Sequence, residues 1–191
     1  MIEPLIENGM AKLPAGEWLV GATQPAATKG RFTRRGQRGF IVPDRAAARV
    51  LKVEGDAWFA SAERPFLTRL TALPDQVLSV ASAKLLVAPL AIRKGARSLK
   101  PVPLSFNHAL PVTEFLHGWV VIASAGRVTK VEVADGETLT VRPEALVAWI
   151  GKTPSGFCPK LSVVDMILPR GPKELAFNFH GPATVWLEGG K

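Results

Sequence analysis

The sequence is short of the residues that most often build metal sites and disulfides. It has one cysteine, Cys158, and three histidines, His108, His117 and His180. A single cysteine cannot form an internal disulfide or a cysteine-based zinc site, and it fits a reducing compartment. The histidines form no His-x-His pair, so the metal chemistry common in double-stranded β-helix folds lacks its usual ligands. We therefore predict that the protein carries no metal or other cofactor.

The sequence also lacks a long hydrophobic run and a leader. No uninterrupted apolar stretch approaches the roughly 20 residues that are needed to cross a bilayer. The first seven residues, MIEPLIE, contain acids where a secretory signal has bases. These two observations predict a cytoplasmic protein without a transmembrane segment.

Intact catalytic motifs are missing as well. Gly151-Lys152-Thr153 resembles the end of a phosphate-binding loop, but Leu146 occupies the position where that loop needs its first glycine. Ser124 lacks the preceding glycine of a nucleophile elbow. We predict no catalytic residue and no enzyme activity. A cupin-like enzyme of the β-helix kind stays open as an alternative, because scattered carboxylates could converge in space.

What the sequence does contain is the pattern of an all-β protein. With 191 residues, the chain is long enough to remove roughly 70% of its unfolded surface from water. Short apolar runs alternate with polar residues and turn signals, which is typical of a sandwich or barrel. In 128–133, for example, Val131 and Val133 share a face opposite Lys130 and Glu132. We predict an all-β domain over residues 46–191, with little helix, and a basic arm or hairpin over residues 1–45.

An internal repeat is the most informative feature. Residues 56–88 align with 117–149 at an offset of 61, which places Trp58 on Trp119 and Thr68 on Thr129. Further identities at this offset join leucines and valines of the apolar runs. Two multi-strand units that bury their apolar faces together would form a core that neither could build alone. The repeat therefore predicts a sandwich or double-stranded β-helix made of two duplicated units.

Two basic segments are candidates for binding a polyanion. The net charge is +8, which attracts anionic partners at long range. The first segment, residues 29–38, lies among three glycines with Phe32 available to stack. The second, residues 93–100, lies in the connector between the repeats. Arginines in such a setting can contact phosphates through forked donors, and they are equally typical of a solvated hairpin. The candidate residues are Lys29, Arg31, Arg34, Arg35, Arg38, Arg93, Lys94, Arg97 and Lys100.

The C-terminal half resembles a known family. The segments ADGETLTVRPEALVAW (134–149) and LAFNFHGPATVWLEGG (175–190) resemble the altered-inheritance-of-mitochondria protein family, and GDAWFASAERPFLTRL (55–70) is similar to its repeated strand pair. The resemblance implies a fold grouped with the tryptophan RNA-binding attenuation protein, a sandwich or double-stranded β-helix that tends to oligomerise. It supplies no catalytic residues. Its mitochondrial members are linked to membrane organisation and its fold relatives to RNA.

Together these observations favour a non-enzymatic, self-associating β-scaffold or binding module that forms a homo-oligomer. The alternative is an RNA- or DNA-binding protein that uses residues 29–38.

Overall fold

The computed structural model describes residues 4–21, 25–34, 49–61, 64–99, 110–157 and 176–189. Within these ranges the chain forms seventeen β-strands and one short 3₁₀ turn, Leu90–Ile92. The prediction of an all-β fold with little helix is confirmed. The first ten strands are β1 Leu5–Glu7, β2 Met10–Leu13, β3 Gly16–Val20, β4 Pro25–Arg34, β5 Arg49–Ser61, β6 Phe66–Ala72, β7 Leu78–Ala81, β8 Leu85–Pro89, β9 Arg93–Leu99 and β10 Leu110–Phe115. The remaining strands are β11 Gly118–Ser124, β12 Val128–Val133, β13 Thr138–Val141, β14 Leu146–Gly151, β15 Ser155–Phe157, β16 Ala176–His180 and β17 Ala183–Glu188.

These strands form three antiparallel sheets. The largest has eight strands in the order β1-β2-β5-β3-β8-β11-β6, with β4 paired to β5 as well. The second has six strands, β12-β17-β14-β7-β10-β9, and the third has three, β13-β16-β15. Consecutive strands are often not neighbours, so most pairings join distant parts of the sequence.

Apolar clusters hold the sheets together as layers of a sandwich. One cluster lies within the large sheet, where the Trp18 and Trp119 rings are 5.3 Å apart. A second joins residues of the large sheet, such as Val120, to residues of the six-stranded sheet, such as Val147. A third joins the six-stranded sheet to Phe177 and Phe179 of the small one. Alternate residues of a strand point to opposite faces, so β11 contributes to two clusters at once.

The N-terminal segment differs from its predicted role as an arm. β1 and β2 do form a hairpin, with Asn8 and Gly9 at positive φ in its turn. β2 and β3, however, pair with β5 in the large sheet, and Leu13 and Leu19 are fully buried. Residues 5–20 are thus part of the main sheet. The rest of the predicted arm that is described, β4, pairs with β5 along its length, and residues 35–45 lie outside the described residues.

The internal repeat recurs in the strand pairings. β6 and β8 both pair with β11, and six strands later β12 and β14 both pair with β17. In the same way β10 pairs with β7 and β9, while β16 pairs with β13 and β15. Two units, β5–β10 and β11–β16, therefore follow one plan. β17 takes the place that the first strand of a third unit would have.

The repeat extends to register and irregularities. Leu85 lies opposite Ile122, and Leu146, 61 residues after Leu85, lies opposite Leu187. Both pairings contain a register shift at the same place, where one extra residue stands in β8 or β14 without a partner. β-Bulges are specific local features of a strand pair. Their recurrence at one position supports a common origin of the two units.

Trp58 and Trp119 lie on the first strands of their units, as the offset predicts, but their surroundings differ. Trp119 is buried in the core of the large sheet against Trp18. Trp58 is half-buried, and the Lys12 ammonium lies 5.8 Å from its ring centre. The shared position is therefore used for packing in one unit and for a cation–π contact in the other.

Candidate functional site

The structure places the two basic segments on different sheets. Lys29, Arg31 and Arg34 lie on β4 of the large sheet, opposite β5. Arg93, Lys94 and Arg97 lie on β9, the last strand of the six-stranded sheet. Arg35, Arg38 and Lys100 are outside the described residues. In the described part of the chain, the strands that carry the two basic segments are therefore not neighbours in any sheet.

The residues considered for catalysis have ordinary structural roles where the structure describes them. The Ser124 hydroxyl is buried and donates to the Gly126 carbonyl at 2.7 Å. His117 and His180 are exposed, and His180 Nδ1 is 2.9 Å from the Thr138 hydroxyl. His108 and Cys158 lie outside the described ranges. Among the described residues, no three histidine, cysteine or acidic side chains converge in a way that could hold a metal ion.

A cleft of about 330 Å³ lies where the β1–β2 turn meets the starts of β6 and β12. Its walls are mostly apolar, and its one charged side chain is the exposed Arg127. Phe66, one of its lining residues, is a large apolar side chain that is 43% exposed. The cleft is open to solvent on one side, and its apolar walls with few polar groups suit the apolar part of a small ligand. The lining residues are Ile6, Gly9, Pro65, Phe66, Leu67, Thr68, Arg127 and Val128.

A network around Glu188 holds the turn that carries Arg127. The Glu188 carboxylate accepts hydrogen bonds from the backbone N–H groups of Ala125 and Gly126 and from Lys84 Nζ. The side chains of Lys84 and Glu188 are only 14% and 10% exposed. Burial alone would raise the pKa of Glu188, but the hydrogen bonds from Lys84, Gly126 and Ala125 outweigh it and lower that pKa below its ordinary value.

Close backbone contacts reinforce this turn. A Cβ on Gly126 would lie 2.3 Å from the Gly189 carbonyl oxygen, so only glycine fits there. The Ser124 hydroxyl also lies 3.3 Å from the Phe66 carbonyl oxygen, which connects the turn to the start of β6. Several hydrogen bonds and close contacts therefore hold the backbone beside Arg127 and Phe66 in place. The cleft could hold an apolar group that ends in an anion.

Exposed strand edges are the second candidate for binding. In the described part of the chain, β6 pairs with β11 alone and β12 pairs with β17 alone, so each ends its sheet. They are equivalent strands of the two units. An open edge presents backbone donors and acceptors that another strand can pair with.

Comparison with known proteins agrees with this architecture. Residues 116–189 match the model of the mitochondrial biogenesis AIM24 family. The predicted resemblance is confirmed for this segment. The AIM24-matching segment starts just before β11 and contains β17, so it spans the second unit and its closing strand. The earlier similar stretch, residues 55–70, lies outside the match. No curated protein matches the sequence.

A solved structure supports the fold over nearly the whole chain. A crystal structure of a Streptococcus pyogenes protein is similar with a TM-score of 0.66 and 13% identity, over 95% of this chain and 88% of the other. At this identity the likeness shows the fold alone. Within the described residues, no helix has the length and apolar character required to span a membrane.

Sequence reasoning did not find the residues of the cleft or its support. Phe66 and Arg127 are separated by 61 residues, the offset of the repeat, so they occupy equivalent positions at the starts of β6 and β12. This equivalence is a signal that the sequence already contained. The Lys84–Glu188 pair is 104 residues apart, and nothing in the sequence relates the two side chains.

Proposed function

We propose that this protein is a non-enzymatic, cytoplasmic β-scaffold that associates with copies of itself. The observation that carries the proposal is that the two large sheets end in equivalent strands, β6 and β12, whose outer edges have no partner in the described chain. Proteins usually cover such edges, and pairing between subunits is one way to do so. The fold offers ready surfaces for extending a sheet.

Light scattering coupled to size-exclusion chromatography tests this proposal. We expect a mass that is a multiple of 20.5 kDa and that decreases on dilution. The measurement should cover low to high micromolar concentrations. A constant mass of one chain over that whole range would contradict self-association.

The cleft favours a second role as a binding module for an apolar ligand with an anionic end group. Phe66 would cover the apolar part, and Arg127 would pair with the anion. Calorimetric titration with a medium-chain carboxylate should show binding that Phe66→Ala and Arg127→Ala each weaken. Equal binding of the matching alcohol would contradict the role of Arg127.

A further inference from the structure

The outer edge of β12 presents the backbone groups of its even-numbered residues. The Gly189 N–H donates to the Arg127 carbonyl at 2.9 Å, and Val128 lies opposite Glu188. In an antiparallel pair, residues alternate between directing both backbone groups to the partner and directing them away. Arg127 and the odd-numbered residues after it therefore face β17. Lys130 and Glu132 direct their N–H and carbonyl groups outward.

The same two residues carry opposite charges. The side chains of Lys130 and Glu132 are 58% and 61% exposed, and Lys130 Nζ lies 2.5 Å from Glu132 Oε1. The Thr184 hydroxyl donates to the other Glu132 oxygen at 2.6 Å, which helps to fix the carboxylate in place. The edge thus offers one cation and one anion, two residues apart on one face.

The positions of Lys130 and Glu132 restrict the registers in which the β12 edges of two copies of the chain can pair. A two-fold antiparallel pairing must set outward-facing residues opposite outward-facing residues. One such register sets Lys130 opposite Lys130 of the second copy, and another sets Glu132 opposite Glu132. The register between them has Val131 on the two-fold axis and sets each Lys130 opposite a Glu132. Of these three registers, only this one places no like charges opposite each other, and it forms two opposite-charge pairs.

We propose that β12 pairs antiparallel with β12 of a second copy about a two-fold axis at Val131. This inference rests on the proposed self-association and specifies its surface. The two six-stranded sheets become one continuous sheet, and the ion pairs select the register. Backbone hydrogen bonds supply the affinity, as in other cases of strand addition.

The equivalent edge of the large sheet cannot pair in this way. On β6, Arg69 occupies the position of Lys130, but Thr71 occupies that of Glu132. β6 contains no carboxylate, so no two-fold register gives an ion pair. Charge complementarity therefore assigns the second copy to β12 rather than to β6.

Charge reversal tests the pairing. Lys130→Glu sets acid against acid, and Glu132→Lys sets lysine against lysine, so each variant alone should raise the dimer dissociation constant about tenfold or more. Mixing the two variants should restore association, because one chain then carries two acids on this edge and the other carries two lysines. The double variant in a single chain should also associate.

Arg69→Glu is the matched control, because it makes the same charge change at the equivalent position of β6; it should leave the dissociation constant unchanged. Association that persists unchanged in both single variants would overturn the β12 pairing, while self-association itself would stand. A native protein that is monomeric at every concentration would overturn both proposals. If the single variants dissociate but their mixture does not recover, the register is wrong.

Cross-linking gives a second measurement that does not depend on charge. In a Cys158→Ser background, Val131→Cys should form a disulfide-linked dimer on mild oxidation, because Cα atoms of a directly opposed, non-hydrogen-bonded pair are about 4.5 Å apart. Thr129→Cys would face Val133 of the second copy and should remain unlinked. Linkage through Thr129→Cys and not through Val131→Cys would overturn the register.

Discussion

At the scale of single residues, Glu188 is the acid on which the turn before β12 depends. It accepts from two backbone amides and from Lys84, and its side chain is 10% exposed. Loss of this carboxylate is costly, because the partly buried Lys84 side chain would lose its ion-pair partner. The same contacts lower the pKa of Glu188, so its ionisation and the stability of the fold are coupled.

We predict that Glu188→Gln lowers the free energy of unfolding by about 1–3 kcal/mol at neutral pH. Because the folded-state pKa is depressed, the carboxylate stabilises the fold above its ordinary pKa of 4.5, and this contribution is lost as the pH falls through the folded-state value. The difference in the free energy of unfolding between the native protein and the variant should therefore become smaller in acid. Urea unfolding followed by tryptophan fluorescence, at neutral pH and at several values below 4.5, measures it.

Glu144→Gln is the control for this prediction, because Glu144 is an exposed acid that lies between β13 and β14. It should change the unfolding free energy little at neutral pH. If the difference in unfolding free energy between the native protein and Glu188→Gln is the same below pH 4.5 as at neutral pH, the charge of Glu188 is not coupled to folding.

At the scale of elements, corresponding turns of the two units are built alike from different residues. Gln76 N–H donates to the Leu73 carbonyl, and its side-chain Oε1 accepts from the Leu73 N–H. Glu137 makes the same two contacts with Ala134, 61 residues later. The residue before each has positive φ, +69° at Asp75 and +81° at Gly136. One backbone conformation is therefore occupied by aspartate in one unit and by glycine in the other.

We predict that Gly136→Ala lowers the free energy of unfolding by about 1 kcal/mol, because a left-handed conformation is unfavourable for a residue with a Cβ. A Cβ at Gly136 would meet no atom within 4 Å, so the whole cost lies in the backbone. Gly136→Asp, which copies the first unit, should cost less, because aspartate tolerates this conformation. Urea unfolding of both variants measures the difference.

Gly95→Ala serves as the comparison, because a Cβ there also meets no atom and the backbone of Gly95 is not left-handed. It should be neutral or slightly stabilising, through a smaller entropy of the unfolded chain. Equal costs for Ala and Asp at Gly136 would mean that the turn conformation does not decide the effect.

The elements of the second unit could be predicted from the sequence because their signal is local. Alternation in 128–133 and the turn after it predict β12 and its end, and both are observed. β2 and β3 were not predicted, because their apolar runs are only a few residues long and Pro14 and Gly16 lie where one run gives way to the other. The pairing of β6 with β11, and of β12 with β17, could not be predicted from either strand alone, since register between distant segments is fixed by tertiary packing.

At the scale of the whole molecule, the second and fourth strands of each unit hydrogen-bond to the first strand of the next one. β6 and β8 need β11, and β12 and β14 need β17, so the units are interleaved rather than stacked. The cleft and the Lys84–Glu188 pair both form across this junction between units. The repeat predicts two similar units, but side chains at their junction become neighbours only through the pairing.

The net charge of +8 is also a property of the whole molecule, and it predicts that any binding of single-stranded RNA depends on salt. If the basic segments contact phosphates, the logarithm of the binding constant should fall with log salt by about 0.7 per contact, because counterions are released. Since β4 and β9 belong to different sheets, the two basic segments should contribute separately to binding. Replacing the basic residues of one segment should therefore reduce the salt slope by the number of contacts that this segment makes.

Fluorescence anisotropy with labelled RNA, at several salt concentrations, measures the binding constant and the salt slope. The variants are Arg31, Arg34, Arg35 and Arg38 changed to Ala, and Arg93, Lys94, Arg97 and Lys100 changed to Ala. A control changes four exposed basic residues outside both segments and outside the cleft, Lys52, Arg69, Arg142 and Lys152, to Ala. An equal loss in the control would mean that net charge alone attracts RNA, and no binding at low salt would mean that neither basic segment binds nucleic acid.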